Sequence, residues 1–143
     1  MEARDCGRFW LLRLAIGEDV VEVLPRFVRE QGIGSGLIQG LGAADEVELG
    51  LYDLATRSYH RRTFTGDCEI VALTGNIAWD GDNPVCHLHC VISDETLAAH
   101  GGHLYRARVS VTCEVAVIPG EGRLDRVPDE RTGLKLLDLG PGA

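Results

Sequence analysis

The sequence has no long apolar run, no paired-cysteine motif and no low-complexity segment. No stretch of the 143 residues approaches the ~20 unbroken apolar residues of a membrane helix, so we expect no membrane partner. The charged start, MEARDC, lacks the pattern of a signal peptide. Five cysteines, an odd number without a C-x-x-C pair, argue against a disulfide framework. These absences predict a cytoplasmic protein.

Basic residues are also scarce. The chain has 14 Lys and Arg against 22 Asp and Glu, a net charge of −8. Surfaces that bind nucleic acid are usually basic, and the densest basic cluster here is the short HRR at residues 60–62. DNA is therefore a possible partner but a disfavoured one.

The N-terminal part predicts one strand and one helix. The run GRFWLLRLAIG is almost continuously apolar, which predicts a strand buried on both faces. Apolar residues then recur at helical spacing, with Asp19 suited to the N-terminal end and Gly32 to the C-terminal cap. Pro25 interrupts this pattern, so we expect either a kink or a helix that begins later.

From residue 34 onward, short strand-like segments alternate with glycine-containing turns. The sequence thus predicts an α+β fold, a mostly antiparallel β-sheet with one main helix packed on it. At 45 % hydrophobic residues, the chain suffices for a single domain over residues 1–143. An apolar patch at residues 134–139 is expected to pair at a sheet edge or with a neighbouring subunit.

The histidines concentrate in one region, with four of the five between residues 85 and 115. His87 and His89 are two positions apart, so on a strand their side chains face the same way. A tight turn centred on Glu95 would place His103 opposite His87, and Gly101 opposite His89. All three imidazoles would then share one patch. A slip of one residue would turn His103 to the other face.

The same register excludes several neighbours from this patch. It places His100 opposite Cys90 on the reverse face, and His60 lies elsewhere in the sequence. Cys86 and Cys90 also alternate to the reverse face, where we interpret them as small buried apolar residues.

Three neutral imidazoles suit zinc and leave a fourth coordination position open for water or substrate. Such a site can polarise a carbonyl group or lower the pKa of bound water. Glu69 and Glu114 interrupt apolar strands and are weak candidates for an acid or base; alternatively, they are ordinary solvent-facing residues. The histidines, too, could be polar residues on an exposed strand.

Several segments resemble the PPC (plants and prokaryotes conserved) domain, in particular its stand-alone prokaryotic members. They are HLH, GGHL and TCEVAVIP, with GRFWLLRLAIGEDVVEVL, EIVALTGNIAW and RTGLKLLDL in matching order. The resemblance covers nearly the whole chain and implies a domain core at about residues 7–139. The resemblance implies a homotrimer and a fold similar to acetolactate decarboxylase, an enzyme with a three-histidine zinc site. It also implies that His87, His89 and His103 are metal ligands. Plant members append an AT-hook that enters the DNA minor groove, and this sequence has none.

Three functions stay open. The first, which we favour, is a homotrimeric zinc-site protein that acts on a small molecule as a lyase- or hydrolase-type enzyme. The second is a DNA-binding transcriptional regulator of the PPC family. The third is a trimeric interaction module whose histidines are structural or sensory. The sequence leaves open whether the protein is an enzyme, and it does not identify a substrate.

Overall fold

The computed structural model describes residues 1–140, in which one helix packs on an eight-stranded sheet. Strand pairing is antiparallel except for one parallel pair, Trp79 with Asp125. The predicted α+β class therefore holds, with a small helical part. No helix in this part of the chain is long and apolar enough to cross a membrane. In chain order the elements are β1 (Glu2–Asp5), β2 (Trp10–Leu14), α1 (Val20–Glu30), β3 (Gly36–Asp53), β4 (Ser58–Asp80), β5 (Asn83–Ser93), β6 (Ala99–Pro119), β7 (Asp125–Pro128) and β8 (Lys135–Asp138).

Four strands pair in a closed cycle. Strand β3 pairs with β4, β4 with β5, β5 with β6, and β6 again with β3. The hairpin β1–β2 extends this cycle at β6, and the hairpin β7–β8 extends it at β4. The apolar patch at residues 134–139 thus lies in a hairpin at the sheet edge, which confirms the first of its two predicted placements.

Helix α1 covers part of this sheet with its apolar face. The Asp19 side chain accepts a hydrogen bond from the Val21 amide and so caps the first turn, as expected. The helix begins at Val20 and continues through Pro25, so the expectation of a later start is wrong. Capping and burial of Val20 hold the first turn, and Pro25 removes only one amide donor. Gly32, with φ of +64°, ends the helix.

Strand β2 buries one face only, so the prediction of burial on both faces is wrong for the single chain. Leu12 and Leu14 lie in the core, whereas Leu11 between them is 44 % exposed. The core meets β2 from one side, and no other element of residues 1–140 packs over the opposite side. Leu11 is therefore left on the surface.

A β-bulge in β6 sets which residues face outward. Leu104 pairs with Leu49 and Arg106 pairs with Glu48, so Tyr105 is an extra residue in β6. As a result, the core-facing positions of β6 switch from even-numbered residues, ending at Leu104, to odd-numbered residues, starting at Ala107. Because the bulge follows the histidines in sequence, it leaves the pairing of β5 with β6 intact.

Candidate metal centre

The three predicted imidazoles lie together on the outer face of β5 and β6. Ring centroids are 5.1 Å apart for His87 and His89, 5.1 Å for His87 and His103, and 5.5 Å for His89 and His103. One nitrogen from each ring lies within 4.8 Å of the other two. Within residues 1–140, this is the one cluster of three or more His, Cys, Asp or Glu side chains arranged to share a metal ion.

The register that brings the rings together differs from the predicted one. His103 pairs with His89, not with His87, and Gly101 pairs with Val91, not with His89. His87 lies two residues before His89 on β5 and pairs with Asn76 of β4. The displacement is two residues, and an even displacement keeps every side chain on its predicted face.

The turn between β5 and β6 explains this displacement. The Asp94 carboxylate accepts hydrogen bonds from the Thr96 amide, the Thr96 hydroxyl and the Ala98 amide. Leu97 adopts a positive φ of 62°. This Asx-type turn is centred on Thr96, one residue later than the Glu95 assumed from the sequence.

The histidines excluded from the site lie elsewhere, as expected. His100 pairs with Ile92, not with Cys90 as predicted, and its ring contacts Asp94 on the opposite face of the strand. His60 lies 3.5 Å from the Asp53 carboxylate. Cys86 and Cys90 were predicted to be small buried apolar residues on the reverse face of β5. Cys90 is buried, and Cys86 is partly buried against the core. Burial raises the pKa of both thiols to about 12.

The environment keeps two of the imidazoles neutral. Burial lowers the pKa of His103 to about 4, with further contributions from His87, His89, Arg61 and Arg126. Burial, and then the charge of Arg126, lowers the pKa of His87 as well. Neutral imidazoles are the form that binds metal, so protons do not compete for these nitrogens at neutral pH.

The donor set fits a transition metal. His103 Nδ1 is buried without a hydrogen-bond partner among the residues described. A buried polar atom left in this way costs free energy unless a ligand satisfies it. Three imidazole nitrogens are a common ligand set for zinc, which bonds each at about 2.0–2.1 Å.

Aromatic side chains border the histidines on one side. The rings of Tyr59 and Tyr105 lie 5.3 Å and 4.8 Å from the His103 ring. The Arg61 guanidinium stacks over Tyr105 at 3.6 Å from the ring centroid. Gly50 makes room for the Tyr105 ring, since a Cβ at position 50 would lie 2.6 Å from Tyr105 Cε2. These side chains limit the orientation of His103.

A cavity of about 300 Å³ opens beside His87 and His103. His87, His103 and Tyr59 form one part of its wall, and Arg126, Leu134 and Leu136 from the C-terminal hairpin form another. Sequence reasoning identified the apolar patch that contains the two leucines but missed Arg126. That residue lies in a polar segment without periodicity, where no sequence signal connects it to the histidines.

The two acidic candidates lie apart from this cavity. Glu69 pairs with Ser93, four residues along β5 from His89, a distance of about 14 Å at ~3.4 Å per residue. Glu114 is exposed and borders a different depression, together with Leu11 and Leu41. Neither glutamate lines the cavity beside the histidines. A catalytic role for either stays a prediction that this placement does not support.

The comparison with protein families agrees with the fold and the motif. The model of the Plants and Prokaryotes Conserved (PCC) domain matches residues 1–120. The chain therefore belongs to this family, the PPC family that the sequence resembles. The match ends before the hairpin β7–β8, whose residues complete the cavity.

Solved structures of similar proteins share the fold over nearly their whole length. A protein from Bacteroides thetaiotaomicron, provisionally described as DNA binding, is 30 % identical with a TM-score of 0.93, covering 96 % of each chain. A metal-containing protein from Archaeoglobus fulgidus is 35 % identical with a TM-score of 0.85, covering 92 % of this chain and 94 % of its own.

A curated relative contains a similar segment within a much longer chain. The bifunctional protein GlmU of a Synechococcus strain is 33 % identical over 129 residues, which are 88 % of this chain. The chain thus spans about a fifth of that protein's length, since the matched part is 20 % of it. A module of this kind is therefore present in a larger protein as well.

Proposed function

We propose that this chain is a metal-site protein that acts on a small molecule, with His87, His89 and His103 as the ligands of one zinc ion. The observation that carries the proposal is the convergence of three imidazole nitrogens within 4.8 Å. The metal-containing relative from Archaeoglobus fulgidus supports it. Zinc is the preferred ion because it favours nitrogen ligands and tetrahedral geometry.

The chemistry proposed for this site is of the lyase or hydrolase type. Zinc held by the three imidazoles would supply a Lewis acid toward a carbonyl oxygen or a water molecule. The chain's own residues then have separate tasks. The imidazoles would hold the ion, Tyr59 and Tyr105 limit the orientation of His103, and the cavity beside His87 and His103 would receive the small molecule.

We further propose that the protein is a homotrimer. Leu11, Leu41 and Val71 are 44 %, 55 % and 57 % exposed, and they line one shared depression on the outer sheet face. Exposed apolar patches of this kind commonly mark contacts between proteins, and homo-oligomers are closed and symmetric. Light scattering of the purified protein should give three times the chain mass.

Elemental analysis of the purified protein tests the metal centre. We expect about one zinc per chain in the wild type and none in His87→Ala, with unchanged circular dichroism. His100→Ala is the matched control, because His100 lies on the opposite face and its variant should keep the metal. A metal-free wild type that also fails to bind added zinc would remove the proposal.

DNA binding is a second candidate, favoured by the provisional description of the relative from Bacteroides thetaiotaomicron. Charge opposes it, because the net charge is −8 and many arginines already contact carboxylates. Examples are Arg13 with Glu2 and Arg108 with Asp45. A binding protein with six to ten phosphate contacts would lose about 10³–10⁵ in affinity between 50 and 200 mM salt. No binding to duplex DNA at 50 mM salt would exclude this function.

We also propose a cytoplasmic location. All five cysteines are free thiols in the structure, which is the state that a reducing compartment maintains.

A further inference from the structure

Arg126 lies beside the histidines with much of its hydrogen-bonding capacity unsatisfied. Its Nη1 donates to the Lys135 carbonyl oxygen at 3.0 Å, and its Nη2 donates to Asn76 Oδ1 at 3.1 Å. Its Nε is buried without a partner in the part of the chain that the structure describes. A guanidinium has five N–H donors, so two are used for anchoring. The group is held in place by two different strands and has donors left for a ligand.

Asn76 couples this arginine to the metal centre. Asn76 lies directly opposite His87 in the pairing of β4 with β5. Arg126 is close enough for its charge to lower the pKa of both His87 and His103. Arg126, His87 and His103 also line the same cavity, so the guanidinium and these two imidazoles border one space.

The site would be strongly positive once a metal is bound. Asp80 lines the cavity, but it is paired with Lys135. Arg61, which is not part of the cavity wall, lies 3.6 Å from Glu48. Arg126 has no carboxylate within ion-pair distance among residues 1–140. A metal dication and a free guanidinium would thus share a half-buried site without a counter-charge, which is unfavourable unless an anion binds.

The cavity also has an apolar wall. Val85, Leu134 and Leu136 face the space that His87 and Arg126 border. Its volume of about 300 Å³ corresponds to about ten water molecules at ~30 Å³ each. Inorganic phosphate would leave the apolar wall without a contact, whereas a short aliphatic chain would cover it.

We propose that this cavity binds a small aliphatic carboxylate, with the carboxylate group against Arg126 and the chain against Leu134 and Leu136. The inference rests on the proposed metal centre, since the ion supplies part of the positive charge. It identifies the class of small molecule on which the site acts, an organic acid of about ten non-hydrogen atoms or fewer.

Calorimetry on the full chain loaded with Co²⁺ in place of zinc tests this proposal, with the visible absorption of cobalt as a second signal. Butyrate is the probe, acetate is its shorter analogue, and butylamine is its cationic analogue. We expect butyrate to bind one per chain and to change the cobalt spectrum. Acetate should bind about tenfold more weakly, because two buried CH₂ groups contribute about 0.8 kcal/mol each. Butylamine should not bind, and inorganic phosphate should bind more weakly than butyrate.

The arginine is tested with Arg126→Gln, which removes the charge and retains some hydrogen-bonding capacity. We expect about ten- to hundredfold weaker butyrate binding at unchanged cobalt content. Arg123→Gln is the matched control, because Arg123 precedes the same strand, contacts Asp125 and lies outside the cavity wall. The comparison of butyrate with butylamine in the wild type needs no variant and decides the charge preference even if Arg126→Gln is unstable.

Equal binding of butyrate and butylamine would overturn the inference, and so would unchanged butyrate binding in a folded Arg126→Gln. Tighter binding of inorganic phosphate than of butyrate would also overturn it, because the apolar wall would then play no part. A protein that binds cobalt but no butyrate contradicts this inference alone. A protein that binds no metal contradicts the proposed function itself.

Discussion

Replacing His89 with alanine removes one nitrogen donor while leaving the core untouched, because His89 is exposed on the outer face of β5. Structural zinc sites with four ligands bind with about 10–16 kcal/mol, or roughly 2.5–4 kcal/mol per ligand. At about 1.4 kcal/mol per tenfold, the variant should bind zinc about 10²–10³ times more weakly.

Thermal unfolding with and without zinc measures this loss. Zinc at a hundred times the wild-type Kd should stabilise the wild type by about 2.7 kcal/mol. For a domain of this length, about 3 °C per kcal/mol gives a rise in Tm of roughly 8 °C. For His89→Ala the same zinc concentration is at or below Kd, so the gain should be at most about 0.4 kcal/mol, or roughly 1 °C.

His60→Ala is the control for this experiment, because its imidazole is 69 % exposed and lies away from the cluster. It should keep the full zinc-dependent gain. A rise of roughly 8 °C in His89→Ala would show that His89 is not a zinc ligand, since the ion would then be held without it. Loss of the gain in His60→Ala would show that zinc binds at some other place.

Three further predictions concern the frame of the site, its protonation and the assembly. In Gly75→Ala the new Cβ would overlap the His87 carbonyl oxygen, so we expect about 1–3 kcal/mol lower stability, a Tm lower by roughly 3–9 °C and weaker zinc binding. The metal-free protein should lose about 1–2 kcal/mol, after allowance for solvent screening, as the pH falls from 6.5 to 4. The reason is that the pKa of His103 is about 4 in the folded state against 6.5 ordinarily, so the unfolded chain binds more protons in that window. If the protein is the proposed trimer, Leu41→Asp should convert it to monomers in light scattering, because the variant places a charge in the proposed apolar contact.

Each of these has a matched comparison. Gly101→Ala should be tolerated, since its Cβ would meet Val91 Cγ2 at an ordinary 3.4 Å. His103→Asn should lose less stability than the wild type over the same pH range in urea titrations. Leu97→Asp, on an exposed turn, should leave the assembly unchanged. Equal effects in a variant and its comparison would contradict the corresponding explanation.

Side-chain alternation accounts for how well the cluster could be predicted. His87 and His89 share a face in any register, and His103 joins them whenever the displacement is an even number of residues. The pairing partner itself could not be predicted, because it depends on how Asp94 closes the turn. The predicted pairing partner of His103 was therefore wrong, but the prediction that the three histidines share one face was right.

Long-range contacts explain what the sequence did not reveal. Arg126 reaches Asn76 across 50 positions, and nothing in either segment's pattern encodes this hydrogen bond. The bulge at Tyr105 likewise depends on packing against β3. By contrast, the spacing of apolar residues and the Asp19 cap were local signals, and they placed helix α1 correctly.

X-ray diffraction recorded across the zinc absorption edge would show directly whether the three histidines bind one zinc ion. We expect one anomalous peak per chain, about 2.0–2.1 Å from one nitrogen each of His87, His89 and His103. Crystals grown with zinc that show no peak there, with the His103 ring turned away from the other two, would contradict it.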